Sequence, residues 1–219
     1  MKQNKDHLLD ALKTACVVAI IRAKESSHVI QAADALEKGG VRCIEVTMNT
    51  PGALDHIREL SAHNKEGMFF GAGTVTSKEA AVQSIKAGAQ FVVTPYTRRD
   101  VIDVARDHDI PVFSGALTPG EVAQAWEWGA DVVKVFPAEM FGPAYIKALL
   151  APLNHIPLMP TGGVTPENAA DWLKAGAYML GVGSALYNAS VAAEGRFDKI
   201  TENAQRLMAE VRKVRPDVK

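Results

Sequence analysis

The run E-W-G-A-D-V-V-K-V-F-P-A, residues 127–138, decides how the chain is read. It leaves a helical pattern, turns at Gly129 and enters an apolar, β-branched strand with Lys134 in its middle. Side chains alternate along a strand, so Val132, Lys134 and Phe136 share one face, and Asp131, Val133 and Val135 the other. A lysine on a buried face is costly unless it is paired or neutral, because burial disfavours the charged form. An amine held uncharged is a nucleophile that forms Schiff bases with carbonyl substrates. A lone lysine of this kind could instead sit on an edge strand and block pairing there; the rest of the chain turns the balance towards the nucleophile.

The same order of helix end, glycine and strand recurs in K-G-G-V-R-C-I-E from Lys38, K-A-G-A-Q-F-V-V from Lys86 and K-A-G-A-Y-M-L-G from Lys174. Each glycine suits a left-handed helix C-cap. Short apolar runs closed by polar or turn residues mark strands at 17–22, 43–47, 69–74, 91–94, 112–114, 132–136, 158–161 and 179–182. Helical patterns fall between them at 27–38, 52–64, 77–87, 98–107, 119–128, 143–150 and 166–175, after an amphipathic start at about 5–14 and before a last helix at about 197–212. Thr118-Pro119 and Thr165-Pro166 read as helix starts, a capping hydroxyl followed by proline at the first helical position. Strict alternation of eight strands with helices, without a linker or low-complexity segment, predicts a single α/β domain, a TIM (β/α)8 barrel over residues 17–190 with an N-terminal helix. A doubly wound open sheet is the alternative; it predicts fewer strands, and no G-x-G-x-x-G follows the first one.

The repeat aligns two residues. Glu45 follows Gly40 by five positions, and Lys134 follows Gly129 by five. Equivalent repeats put them at the same place on strands two and six. Alternate strands of a barrel fill one layer, so an acid and an amine would face each other near the C-terminal mouth. They could form a structural ion pair, or a Schiff-base amine with its proton shuttle. Thr47, Thr74, Thr94 and Thr161 stand at predicted strand ends, where each alone reads as a cap and together they make a polar mouth. The last two strands end in T-G-G-V-T-P-E-N (161–168) and G-V-G-S-A-L-Y (181–187). Glycines let backbone approach a ligand, and loops after strands seven and eight of such barrels often bind phosphate; two tight turns are the plainer reading. Arg22, ending strand one, is either a carboxylate or phosphate ligand or an ordinary surface charge.

Composition bounds the rest. The 219 residues carry a formal net charge of −1 and are 47% hydrophobic, which fits a globular chain and gives no sign of a nucleic-acid partner. Cys16 and Cys43, far apart and in apolar contexts, read as free thiols of a reducing compartment. The polar start lacks a signal-peptide core, and no run is long enough to span a membrane. The expectation is a soluble cytoplasmic protein. The six histidines, His7, His28, His56, His63, His108 and His155, show no ligand spacing on one face, so no metal is expected. Trp126, Trp128 and Trp172 read as packing residues, and Arg98-Arg99 as a surface pair.

Taken together, I-E-V-T-M-N-T-P, F-F-G-A-G-T-V, V-V-T-P, V-V-K-V-F-P-A, P-T-G-G-V-T-P-E-N and G-V-G-S resemble the class I pyruvate aldolases of the 2-keto-3-deoxy-6-phosphogluconate (KDPG) aldolase family, in order, over residues 17–187. The resemblance implies a metal-free and cofactor-free homotrimer. Its members split a 2-keto-3-deoxy-6-phospho sugar acid into pyruvate and glyceraldehyde 3-phosphate, and many split 4-hydroxy-2-oxoglutarate into pyruvate and glyoxylate. It implies that Lys134 forms the Schiff base and Glu45 relays protons, that Thr74 holds the pyruvate carboxylate, and that Pro95 and Phe136 wall the pyruvate pocket. Thr161, Gly162, Gly163, Gly183 and Ser184 would take the far end of the substrate with its phosphate. Where the gluconate-type pattern has arginine four positions after the glutamate, this chain has Asn49. That residue, Arg22 and F-G-P-A-Y-I-K-A-L (141–149) resemble the galactonate branch, and the C4 epimer stays open. The rivals are a sugar-phosphate isomerase or epimerase on the same barrel, which needs two carboxylates or a metal, and a phosphate-binding module in which Lys134 and Glu45 are only an ion pair.

Overall fold

The computed structural model of the chain describes residues 5–62 and 67–218; His63 and the expected helix end at Asn64 lie outside them. Eight parallel strands, β1 (Val17–Ile21), β2 (Cys43–Thr47), β3 (Phe69–Gly73), β4 (Val92–Val93), β5 (Val112–Ala116), β6 (Val132–Val135), β7 (Leu158–Pro160) and β8 (Leu180–Val182), run in the order β7-β6-β5-β4-β3-β2-β1-β8. The ring closes between β7 and β8 through a single parallel bridge, Thr161 to Gly181, and through the Tyr178 N–H donating to the Leu158 carbonyl at 2.8 Å. This is a TIM-type α/β barrel, as the alternation of segments predicts. The four repeat glycines, Gly40, Gly88, Gly129 and Gly176, have φ between 94° and 106°, the left-handed turn that feeds each helix back into a strand.

Strand ends shift for local reasons. β6 stops at Val135, before Phe136-Pro137, because proline has no N–H to give a ladder. β5 continues past Ser114 to Ala116, pairing Gly115 with Lys134 and Ala116 with Val135 of β6, and Gly115 is needed there because a Cβ would run into the backbone of Pro95. The helices are α1 (Lys5–Ala15), α2 (Val29–Lys38), α3 (Ala53–Ala62), α4 (Lys78–Lys86), α5 (Arg99–Asp107), α6 (Pro119–Glu127), α7 (Pro143–Leu150), α8 (Ala169–Lys174), α9 (Ala189–Ala193) and α10 (Phe197–Val214). Short α9 and a 3-10 turn at Ala138–Met140 are not foreseen by the sequence pattern.

Thr118 caps α6 as predicted. Its hydroxyl accepts from the Glu121 N–H, and the Glu121 carboxylate accepts from Thr118 N–H at 2.8 Å. The expected start at Thr165-Pro166 is corrected to Ala169. Asn168 is the cause: its Oδ1 accepts from the Thr165 N–H at 2.8 Å and its Nδ2 donates to the Gly163 carbonyl at 2.7 Å, which holds a turn ahead of the helix.

Two apolar layers hold the barrel. Between sheet and outer helices lies the larger one, including Ile21, Leu36, Ile57, Val133 and Trp172. Inside the ring, Val18, Phe91, Phe113, Val132, Met159 and Met179 stack on Leu8 and Leu12 of α1. The floor of the barrel is therefore α1, pinned by a Lys5–Asp131 ion pair at 2.9 Å. The long C-terminal helix α10 belongs to the outer ring, with Thr201 donating to the Ala35 carbonyl of α2 at 2.9 Å. No helix among the described residues is long and apolar enough to cross a membrane.

Candidate active site

With the floor filled by side chains, open space remains at the C-terminal ends of the strands. Glu45 and Lys134 point into the ring from β2 and β6, in register with Ile20 of β1 and Gly115 of β5. Both are buried, Glu45 wholly and Lys134 with 5% exposure, and the Lys134 Nζ lies 3.8 Å from the Glu45 Oε1. That separation is an ion-pair contact but too long for a hydrogen bond. Neither carboxylate oxygen has a hydrogen-bond partner among the described residues. Burial pushes the Glu45 carboxyl above the ordinary carboxylate range, opposed by the charges of Lys134 and Arg22. Room for the carboxylate comes from Gly73 on β3, opposite Thr47, where any Cβ would land on it. The Phe136 ring stands over the amine, with Nζ 5.5 Å from its centroid.

Above the pair opens a cavity of about 630 Å³. It is lined by Arg22 after β1, Thr74 after β3, Pro95 after β4, Lys134 and Phe136 from β6 and beyond, Thr161, Gly162 and Gly163 after β7, and Gly183 and Ser184 after β8. These residues thus meet at one mouth, with Glu45 in the layer beside the amine; of the four strand-end threonines, Thr74 and Thr161 line it and Thr47 and Thr94 do not. Thr74 has φ 55°, a left-handed backbone that a β-branched residue adopts only at a cost. The Thr161 hydroxyl is buried without a partner among the described residues, and it lies where a Cβ on Gly181 would fall. Thr47 and Thr94, by contrast, brace strand ends. Thr47 bonds the Thr50 hydroxyl at 3.2 Å, and Thr94 accepts from the Gly115 N–H at 3.0 Å.

Ile20, Asn49, Glu139, Val164 and Tyr187 complete the lining. Ile20 was findable, since it lies two residues from inward-facing Val18. Glu139 sits in the unforeseen 3-10 turn, its Oε2 about 3.4 to 3.5 Å from where Cβ atoms on Gly163 and Gly162 would lie. Tyr187 follows G-V-G-S, but only the course of the turn after β8 reveals that it faces the cavity. No cluster of three or more His, Cys, Asp or Glu among the described residues is arranged to hold a metal ion. Of the expected surface pair, Arg99 is exposed, whereas Arg98 is half-buried and bonds Asp100 at 2.8 Å.

An amine and an unsatisfied carboxylate beneath an open, glycine-edged cavity can form and resolve an imine and move protons beside it. Comparison with known proteins gives the same chemistry. Residues 8–203 match the family model "KDPG and KHG aldolase". The chain is 34% identical to the KHG/KDPG aldolase of Escherichia coli K12, across 94% of this chain and 96% of that protein. It is 35% identical to the 2-dehydro-3-deoxy-6-phosphogalactonate aldolase of the same organism, across 81% and 87%. Among solved structures, KDPG aldolase from Legionella pneumophila, with pyruvate captured as a covalent carbinolamine, superposes with a TM-score of 0.84 at 25% identity, covering 94% of this chain and 99% of that one.

Proposed function

The chain belongs to the KDPG and KHG aldolase family, and we propose that its chemistry runs through a Schiff base on Lys134, with Glu45 as the proton relay. It is a class I aldolase. It cleaves 2-keto-3-deoxy-6-phosphogluconate, or the galactonate epimer, to pyruvate and glyceraldehyde 3-phosphate; we assign it 4-hydroxy-2-oxoglutarate cleavage as a second activity. The observation that carries the site assignment is the buried amine 3.8 Å from a buried carboxylate, beneath an open cavity. An isomerase would need a second carboxylate or a metal where the amine stands, and a passive ion pair gives no reason for the open space above it.

The free amine of Lys134 attacks the C2 ketone to give a carbinolamine, and Glu45 donates the proton that lets water leave. The resulting iminium is an electron sink. Glu45, ionised again, takes the C4 hydroxyl proton; the C3–C4 bond breaks, its electrons pass into the iminium and the aldehyde departs. The enamine is protonated at C3, and water releases pyruvate. Because the iminium stores the electrons, the route draws on no metal. Thr74 holds the keto-acid carboxylate, with Pro95 and Phe136 as walls. Thr161, Gly162, Gly163, Gly183 and Ser184 hold the phosphate, helped by Arg22, whose guanidinium makes no hydrogen bond or ion pair among the described residues.

We further assign a homotrimer of single-domain subunits in the cytoplasm. Met140, Phe141 and Tyr96, 72%, 52% and 49% exposed on the loops after β6 and β4, supply an apolar surface for a second copy, and free thiols Cys16 and Cys43 suit a reducing compartment. Light scattering coupled to gel filtration tests the trimer. The reaction is tested by borohydride with pyruvate. Wild type gains one covalent pyruvate on Lys134 by peptide mapping, and Lys134→Ala gains none and loses turnover while keeping its fold. An adduct elsewhere, or an active Lys134→Ala, overturns the assignment.

A further inference from the structure

A second cavity, of about 160 Å³, adjoins the aldol site, walled by Lys24, Glu25, His28, Tyr187 and Ser190 among others. Tyr187 is common to the walls of both cavities. Its position is tied to the expected phosphate loop, because its N–H donates to the Gly183 carbonyl at 2.9 Å. Tyr187 is 6% exposed, and its hydroxyl makes no hydrogen bond among the described residues. A tyrosine so buried is held by its ring and borders both spaces.

The loop after β1 sends one cation to each side of that boundary, Arg22 to the aldol cavity and Lys24 to the adjoining one. The far space is also edged by His28, which starts α2 without a side-chain cap, and by Ser190; Glu25 is its one acid. It is small and of mixed lining, with Ala189 and Ala193 beside these polar groups, and it offers Lys24 and His28 to the charged end of a chain too long for the first cavity.

We propose that Tyr187 is a partition that sets the length of the aldehyde half this site accepts, and that the adjoining cavity takes the charged end of a longer phosphorylated aldehyde once the ring is removed. This rests on the aldolase reading and extends it to the acceptor. Shape exclusion by an apolar ring is worth roughly 10–200-fold for each methylene that does not fit.

The test measures aldol condensation of pyruvate with glyceraldehyde 3-phosphate and with erythrose 4-phosphate, one carbon longer. It compares wild type with Tyr187→Phe, Tyr187→Leu and Tyr187→Ala. The ratio of kcat/KM, four-carbon over three-carbon, should rise about tenfold or more in Tyr187→Ala and partway in Tyr187→Leu, and stay near wild type in Tyr187→Phe, which keeps the ring. Adding Lys24→Ala to the widened variant should raise KM for the longer aldehyde and not for the shorter. Should Tyr187→Ala fail to fold, Tyr187→Leu decides. An unchanged ratio in the shortened variants, or a Phe variant as relaxed as they are, overturns the partition. A wild type that neither condenses the three-carbon aldehyde nor traps pyruvate overturns the aldolase reading instead, so the two failures are distinct.

Discussion

Glu45 shows how one buried group can be costly for the fold and useful for the reaction. Burial holds its carboxyl above the ordinary range, with Lys134 and Arg22 pulling it back. The base step needs it ionised, so activity should fall as pH drops through this raised value. The acid limb of the kcat/KM profile should therefore stand above the usual carboxylate range near about 4.3. Glu45→Gln should lose about 10²–10⁴ in kcat and lose that limb, as a pH series on the cleavage reaction would register. A limb that persists in the variant belongs to another group. Cys16 carries the opposite kind of consequence. Burial, opposed by the Arg215 charge, raises its thiol from 9.0 to about 11. The fold keeps that proton where the unfolded chain has lost it, so the contribution to stability is full below about 9 and fades as pH rises towards about 11. Urea midpoints should fall more steeply between pH 8 and 10.5, on the order of those limits, in wild type than in Cys16→Ala; parallel slopes would remove the thiol from the account. Lys134 and Glu45 were legible because a five-residue interval from a repeated glycine places each of them. Glu139 and Tyr187 were not, because their facing depends on the path of a loop, which no periodicity encodes.

At the scale of elements, the two Thr-Pro pairs show what a local signal can carry. Thr118-Pro119 has Glu121 at the position that reaches back to the cap, and the capping box forms. The Glu121 carboxyl is held below its ordinary value by the Thr118 and Leu117 N–H groups it accepts from, so this clasp weakens as acid protonates it. Thr118→Ala should cost about 1 kcal/mol at neutral pH in chemical denaturation. No change in midpoint would mean that α6 is held by packing alone. Thr165-Pro166 has the same two residues, but Asn168 offers its side chain to Thr165 and Gly163, and the first turn is diverted. That diversion keeps the Gly162–Gly163 bend apart from the helix, at the edge of the cavity. Cap residues were therefore readable, while the competition between caps required the three-dimensional neighbours of Asn168.

The whole molecule divides its labour along the barrel axis. Chemistry sits at the C-terminal mouth, where inward glycines such as Gly73 and Gly181 leave room for Glu45 and Thr161. Stability is gathered at the other end, where Phe91, Phe113, Met159 and Met179 fill the ring and α1 closes it. The amphipathic pattern of residues 5–14 showed that a face would be buried but not against what, because the floor of a ring is assembled from eight strands distant in sequence. The same holds for the long last helix, whose sequence pattern does not encode that it packs on α2. If the two ends are separate, a cavity in the floor should weaken the fold without touching the site. Leu12 is fully buried at the centre of that floor. Leu12→Ala should cost about 2–5 kcal/mol in urea unfolding. At a temperature where the variant remains folded, its KM for substrate and its pyruvate adduct on Lys134 should match wild type. A raised KM with unchanged stability would show instead that α1 helps set the mouth, with strain passing through the packed layer between them.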